Sequence, residues 1–260
     1  MHNAAFEALA LPFVYVAHDV SPPDLPVAIA GARALGYRGL SITMPHKVAA
    51  MSLVDEVDPT ARAIGCINTI VNQDGRLVGH NSDGRGALDA LARAGIATQS
   101  RRVLVLGSGG AARALSMILA MQGQPAELEI LGVVEDELVQ LGRDVSARAS
   151  VPVVARPLDD QSLSTAVRRA DVLMHCTPVG MTPNTGHSLV PRELLRPRLA
   201  VFDAVYNPRR TLLVEQAAAS GCLVVEGMEM FLGQAMLQFE LWTGQKAPVE
   251  VMRKVIEDRL

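Results

Sequence analysis

Residues 103–114 read VLVLGSGGAARA, and this stretch decides the fold. An apolar run ends at Gly107 and small, helix-forming residues follow, which predicts a strand, a tight turn and a helix. Gly107 permits the turn, Gly109 lets the backbone approach a pyrophosphate, and Ala112 allows close packing of the helix on the strand. The helix start offers free N–H groups to phosphate oxygens. We expect a dinucleotide site rather than a merely tight turn, formed by Gly107, Ser108, Gly109, Gly110 and Ala111.

Strand-like and helix-like segments alternate along nearly the whole chain, which predicts an α/β fold with mainly parallel sheets. Asp74-Gly75 marks a hairpin turn within residues 66–81. Strands are predicted at 13–20, 39–43, 102–107, 128–133, 151–155, 171–176, 199–205 and 222–227, and helices at 26–35, 83–94, 111–123, 136–146, 163–169, 212–220 and from 228 onward.

The expected domain boundaries fall near residues 84 and 228. Residues 1–84 and 228–260 would form a substrate-binding α/β domain, and residues 85–227 would form a Rossmann-like dinucleotide-binding domain. The last helices would therefore return to the first domain.

Composition narrows the classes of function. Hydrophobic residues make up 49% of the chain and charged residues 20%, so it can bury substantial cores, and its net charge of −3 with only 3% aromatics argues against nucleic acid as a partner. No apolar run approaches the roughly 18 residues of a membrane span. Three scattered cysteines without a C-x-x-C pair suit a reduced cytoplasm better than disulfides or a metal site.

The residues after the second Rossmann strand bear on cofactor choice. An acidic residue there would bind the ribose 2′-hydroxyl of NAD, whereas an arginine would suit the 2′-phosphate of NADP. The sequence has Gly132-Val133-Val134 at this point, and Glu135 and Asp136 follow. This pattern leaves the choice between NADP and NAD open.

A lysine stands at the end of a strand-like run, in LSITMPHK (40–47). Two other stretches could face the strand ends: GCINT (65–69) offers Asn68, and GHNSDGRG (79–86) offers Asp83 at the start of a helix. Oxidation of an alcohol needs a group that accepts the hydroxyl proton, and a lysine held by a carboxylate suits that task. Lys47 and Asp83 are therefore candidate acid–base residues, although a lone surface lysine would have a similar local sequence.

Seven motifs in one order give the chain a resemblance to the shikimate dehydrogenase family, including its quinate/shikimate branch: MPHK, GCINT, NSDG, GSGGAARA, CTPVGM, VYNP and FELWTG. The resemblance implies an NADP- or NAD-dependent enzyme, a monomer or homodimer, that interconverts shikimate and 3-dehydroshikimate or the quinate equivalents. It makes Lys47 and Asp83 catalytic, and no metal is implied. The implied substrate-binding residues are Thr43, Lys47, Asn68, Asp83, Tyr206 and Gln234. The implied cofactor residues beyond the glycine loop are Thr177, Val179, Val205, Gly227 and Met230.

The chain departs from the family at its start and at the ribose site. Family members open with a strand and a Ser-x-Ser segment that binds the substrate carboxylate, and that segment precedes the stretch matching MHNAAF (1–6). A miscalled start, a truncated form or a divergent relative would each explain the difference. Gly132-Val133-Val134 replaces the family's Asn-Arg-Thr. Two alternatives therefore stay open: a catalytically silent binding protein, and a dehydrogenase of another hydroxy acid.

Overall fold

The computed structural model describes residues 1–259 and divides them into two compact units. The first unit comprises Met1–Asp83 and Leu232–Arg259, and the second comprises Gly84–Phe231. The α/β fold expected from the sequence is confirmed. In chain order, the helices and strands are α1 (His2–Ala8), α2 (Leu25–Ala34), β1 (Gly39–Ser41), β2 (Glu56–Val57), α3 (Pro59–Ile64), β3 (Thr69–Gln73), β4 (Arg76–His80), α4 (Asp83–Arg93), β5 (Arg102–Leu106), α5 (Gly110–Ile118), β6 (Glu127–Gly132), α6 (Glu135–Ser146), β7 (Val153–Pro157), α7 (Asp160–Arg169), β8 (Val172–His175), β9 (Ala200–Asp203), α8 (Leu212–Ala219), β10 (Leu223–Val225), α9 (Gly227–Thr243) and α10 (Val249–Glu257).

The first unit contains a four-stranded sheet in the order β1-β3-β4-β2. The pairs β1–β3 and β3–β4 are antiparallel and only β2–β4 is parallel, so the expectation of mainly parallel sheets is wrong for this unit. The antiparallel pairing of β3 with β4 follows from the predicted hairpin, which is confirmed. Asp74 and Gly75 both have positive φ, 52° and 94°, as a two-residue hairpin turn of this type requires.

One predicted strand of the first unit does not form. Residues 13–20 have no regular secondary structure. A strand needs a neighbouring backbone for its hydrogen bonds, and Tyr15 bonds instead to the side chain of Asn3, through its N–H at 2.6 Å and its carbonyl at 2.9 Å. A groove of about 390 Å³ is lined by residues 12–16, by residues 35–39, and by Phe6, Trp242 and Thr243. The strand predicted over 39–43 is also shorter in the structure, where β1 ends at Ser41.

The second unit is built on a six-stranded, fully parallel sheet in the order β10-β9-β8-β5-β6-β7. The strand order reverses beside β5, whose neighbours are β8 on one side and β6 on the other. In open α/β sheets, ligands bind beyond the carboxyl ends of the strands at such a reversal. The inner strands β5, β8 and β9 are buried on both faces except at Arg102, and their residues are apolar apart from Arg102, His175 and Asp203, as expected of a sheet covered by helices.

Candidate functional site

The first unit brings the lysine and the aspartate together. Lys47 Nζ lies 2.7 Å from Asp83 Oδ2, and the two side chains are 25% and 14% exposed. Asp83 is the first residue of α4, and its N–H donates to Asn81 Oδ1 at 3.0 Å, so a local side chain sets the start of the helix. The pair is a charge-assisted contact that stays partly open to solvent.

A buried amide orients this pair. Asn68 is 1% exposed, and its Nδ2 lies 2.9 Å from Asp83 Oδ1, 3.0 Å from Ser82 Oγ and 3.2 Å from Gln234 Oε1. Its Oδ1 accepts from Ser82 N at 2.9 Å and from Thr69 Oγ1 at 2.8 Å. With donors on one side and acceptors on the other, the amide has one favourable orientation. The structure thus groups four of the predicted site residues: Lys47, Asn68, Asp83 and Gln234.

Two predicted substrate residues lie outside this cluster of hydrogen bonds. Thr43 is exposed, and its carbonyl accepts from His46 N at 2.9 Å. Tyr206 belongs to the second unit, is 45% exposed, and stacks on Phe231 with ring centroids 5.1 Å apart. Their assignment to the substrate site stays a prediction.

Sequence reasoning missed Gln238. This side chain is 4% exposed, and its Nε2 contacts Ser41 Oγ at 3.2 Å, the Asn68 carbonyl at 3.2 Å and Thr69 Oγ1 at 3.1 Å. It thereby ties α9 to β1 and β3 behind Asn68. A signal existed, because Gln238 follows Gln234 by four residues and such pairs share a helix face.

The glycine loop of the second unit has the geometry that a pyrophosphate needs. Gly107 has a φ of +117°, and an added Cβ would lie 2.9 Å from the carbonyl oxygen of Cys176. Only glycine tolerates that turn without strain. An added Cβ at Gly109 or Gly110 would meet nothing within 4 Å, so the loop faces open space at the start of α5. A dinucleotide phosphate fits this loop and the free N–H groups of the helix.

A buried pair supports the loops beside the glycine turn. His175 ends β8 and Asp203 ends β9, and His175 Nδ1 lies 2.8 Å from Asp203 Oδ1 with exposures of 1% and 0%. His175 Nε2 contacts Thr177 Oγ1 at 2.6 Å, and Val205 N donates to Asp203 Oδ1 at 3.0 Å. Two predicted cofactor residues, Thr177 and Val205, are therefore fixed by one network. Neither His175 nor Asp203 was singled out from the sequence.

Val179, Gly227 and Met230 are the remaining predicted cofactor residues. Val179 N donates to Thr177 Oγ1 at 3.3 Å. A Cβ on Gly227 would lie 2.3 Å from the Val205 carbonyl oxygen, so only glycine fits there at the start of α9. Met230 lies on the same helix and is half-buried.

The thiol of Cys176, beside the glycine turn, lies in surroundings that disfavour its thiolate form. Burial, and next the nearby Asp203 carboxylate, raise the pKa of Cys176 well above its usual range. None of the three cysteines, all within the described residues, forms a disulfide. Within residues 1–259, no three histidine, cysteine, aspartate or glutamate side chains are grouped as a metal would require. Over the same residues, no helix has both the length and the apolar character of a membrane span.

A parallel sheet with a glycine loop at its strand reversal, and a separate unit with a lysine–carboxylate pair, define the class of dinucleotide-dependent oxidoreductases. The model of the shikimate dehydrogenase substrate binding domain matches residues 1–70, and that of the shikimate 5′-dehydrogenase C-terminal domain matches residues 227–257. A Moorella thermoacetica protein named shikimate dehydrogenase (NADP(+)) is 42% identical over 261 residues, which span 100% of this chain and 88% of that protein. The chain belongs to the shikimate dehydrogenase family.

Two solved structures show the same fold. The shikimate 5-dehydrogenase of Listeria monocytogenes, in complex with shikimate and NAD, has a TM-score of 0.93 and 32% identity, and the match covers 98% of this chain and 90% of that one. The 5-ketofructose reductase of a Gluconobacter strain has a TM-score of 0.91 and 27% identity, with coverage of 100% and 92%.

Proposed function

We propose that this chain is an NAD(P)-dependent shikimate dehydrogenase, which interconverts shikimate and 3-dehydroshikimate. The observation that carries the proposal is the contact of Lys47 with Asp83, anchored by Asn68, in a member of this family. The relatives that match over the whole chain are named shikimate dehydrogenases, and a structural neighbour contains shikimate itself.

In the proposed reaction, Lys47 handles the proton of the reacting hydroxyl. As the alcohol becomes a ketone, the hydroxyl proton passes to the lysine amine, and in the reverse direction the ammonium returns it to the carbonyl oxygen. Asp83 holds the lysine and shares its proton. Bound NADP or NAD supplies the hydride acceptor or donor at its nicotinamide ring.

The other site residues would bind and orient the ligands. We assign the substrate hydroxyls to hydrogen bonds with Thr43, Asn68, Asp83 and Gln234, and we keep Tyr206 as a further substrate-binding residue. We assign the dinucleotide to Gly107, Ser108, Gly109, Gly110, Ala111, Thr177, Val179, Val205, Gly227 and Met230. The substrate domain would comprise residues 1–84 and 228–260, and the cofactor domain residues 85–227.

The proposed partners are a small molecule and a dinucleotide, with no nucleic acid, membrane or metal involved. The protein would act in the cytoplasm as a monomer or homodimer. Its cysteines, none of which forms a disulfide within the described residues, suit that compartment.

A second candidate is reduction of a different keto compound on the same scaffold. It is favoured by the likeness to a 5-ketofructose reductase at a TM-score of 0.91. A fold alone does not fix a substrate.

Turnover assays of the purified full chain test these proposals. The absorbance of reduced nicotinamide is followed with shikimate, quinate or fructose as the alcohol and NADP⁺ or NAD⁺ as the acceptor. Oxidation of shikimate faster than of the other two supports the first proposal. Faster oxidation of fructose would replace it with the second, and dinucleotide binding without any turnover would identify a catalytically silent binding protein.

A further inference from the structure

The residues after β6 would form the ribose end of the proposed dinucleotide site. In this fold the 2′ group of the adenosine ribose lies beyond the end of the second strand, where a carboxylate suits a hydroxyl and a guanidinium suits a phosphate. Here Val133 and Val134 follow Gly132, and their side chains are 77% and 47% exposed. Neither valine fills a core, and neither can bind a phosphate.

This tip lies directly against the glycine loop. An added Cβ on Gly132 would be 3.0 Å from Ser108 Cβ. Ser108 Oγ donates to Glu137 Oε2 at 3.3 Å. A carboxylate is thus held beside the loop that would bind the pyrophosphate.

The charged residues of the tip and of the first turn of α6 are all acidic. Glu135, Asp136 and Glu137 form the first turn of α6, and residues 132–138 contain no lysine or arginine. Two arginines of the same unit are paired with acidic residues: Arg113 with Asp144 and Arg156 with Glu129, each at 2.6 Å. A 2′-phosphate brings about two negative charges into this surrounding. The positive end of the helix dipole offsets only a fraction of three carboxylates.

We propose that this chain does not select NADP over NAD and binds NAD at least as tightly, although its relatives are named for NADP(+). This inference rests on the dinucleotide site of the proposed function and adds the cofactor that the site prefers. The 2′-hydroxyl of NAD meets no penalty at the valine tip, whereas the 2′-phosphate of NADP finds carboxylates and no guanidinium.

Titration calorimetry with NAD⁺ and NADP⁺, without any alcohol substrate, tests this inference apart from turnover. The expected result is a Kd for NAD⁺ equal to or below that for NADP⁺. A Kd for NADP⁺ about tenfold lower than that for NAD⁺ would overturn the inference and leave the proposed function standing. Binding of NAD⁺ without turnover of shikimate would overturn the proposed function and leave the cofactor inference standing. Binding of neither dinucleotide would overturn the inference and the proposed function together.

Two substitutions test whether the residues after β6 determine the relative affinities for NADP⁺ and NAD⁺. Val133→Arg supplies a guanidinium and Glu137→Lys reverses the charge nearest the loop, so each should lower the Kd for NADP⁺ by about tenfold and change that for NAD⁺ less than threefold. Val139→Arg is the matched control, because Val139 is also exposed on α6 but lies after its first turn. Equal gains in NADP⁺ affinity from all three substitutions would show a general charge effect and contradict the assignment to the tip.

Discussion

Lys47 Nζ lies 2.7 Å from one oxygen of Asp83, and the other oxygen of that carboxylate accepts from Asn68 Nδ2 at 2.9 Å. Asn68 is buried and has its own orientation fixed by Ser82. The Asn68 amide therefore fixes one oxygen of the Asp83 carboxylate, and the other oxygen contacts the Lys47 ammonium. Asp83 therefore positions the Lys47 side chain, which nevertheless stays 25% exposed.

Lys47→Met should abolish most turnover while leaving dinucleotide binding intact. Methionine keeps an unbranched apolar chain but cannot exchange a proton, so we expect kcat to fall by about 10²–10⁴-fold. The Kd for NAD⁺ should not change, because the residues assigned to the dinucleotide lie in the other unit. Steady-state kinetics and calorimetry measure the two quantities.

Lys246→Met is the control, since Lys246 is an exposed lysine of the same unit. Its kcat should stay within twofold of that of the parent chain. If Lys47→Met keeps more than about a tenth of the parent kcat, the proton-transfer role assigned to Lys47 is wrong.

Gln238→Leu should destabilise the fold because it removes a buried hydrogen-bond donor. The Asn68 carbonyl and the hydroxyls of Ser41 and Thr69 would lose a buried donor. We expect the free energy of unfolding to fall by about 1–3 kcal/mol, measured by urea denaturation. Gln245→Leu, at an exposed position, should change it by less than about 0.5 kcal/mol. Equal losses in the two variants would contradict the importance of this buried network.

Local features of the chain could be predicted because short segments determine them. The glycine turn at Gly107, the hairpin at Asp74-Gly75 and the end of α2 before Gly36 each depend on a backbone conformation that few residues tolerate. The alternation of strands and helices likewise follows from residue spacing. These features were enough to expect a dinucleotide-binding α/β fold.

Features that depend on distant partners could not be predicted. The strand expected at residues 13–20 has the right residue pattern but lacks a neighbouring backbone in the described structure. Gln238 is important because residues 41, 68 and 69 approach it. These residues are distant in the sequence, and the contact with Ser41 spans 197 positions. Burial of His175 with Asp203 also arises only when β8 and β9 pair. Tertiary context decides each of these cases.

Gly227→Ala should disturb the fold and weaken dinucleotide binding together. Its Cβ would lie 2.3 Å from the Val205 carbonyl oxygen, so the backbone must shift at a residue assigned to the cofactor. We expect a loss of about 1–3 kcal/mol in the free energy of unfolding and a higher Kd for NAD⁺. Gly31→Ala is the control: it lies within α2 with nothing within 4 Å, and should gain up to about 1 kcal/mol. If Gly227→Ala changed neither the free energy of unfolding nor the Kd for NAD⁺, the close approach to Val205 would not be needed for stability or for binding.

Stability should depend on pH through His2. The side chain is 6% exposed, stacks on Tyr15 with ring centroids 4.8 Å apart, and packs at a tilt against Trp242 with centroids 5.2 Å apart. Burial, and next the positive chain terminus, lower the pKa of His2 from 6.5 to about 4, while a contact from Gln238 opposes them. Between these pKa values the unfolded chain binds a proton that the folded chain does not. The free energy of unfolding must therefore fall as the pH drops from 6.5 towards 4, by about 1.4 kcal/mol per pH unit and by about 3 kcal/mol in all.

His2→Phe separates this effect from those of other titrating groups. Phenylalanine keeps the stacking and cannot be protonated, so the free energy of unfolding of the variant should lose less on acidification than that of the parent chain. Urea titrations of both chains at a series of pH values from neutral to mildly acidic give the difference directly. The two curves should run parallel above pH 6.5 and diverge below it, because only the parent chain must keep His2 neutral against protonation. Parallel curves throughout would mean that His2 is protonated as readily in the folded chain as in the unfolded one.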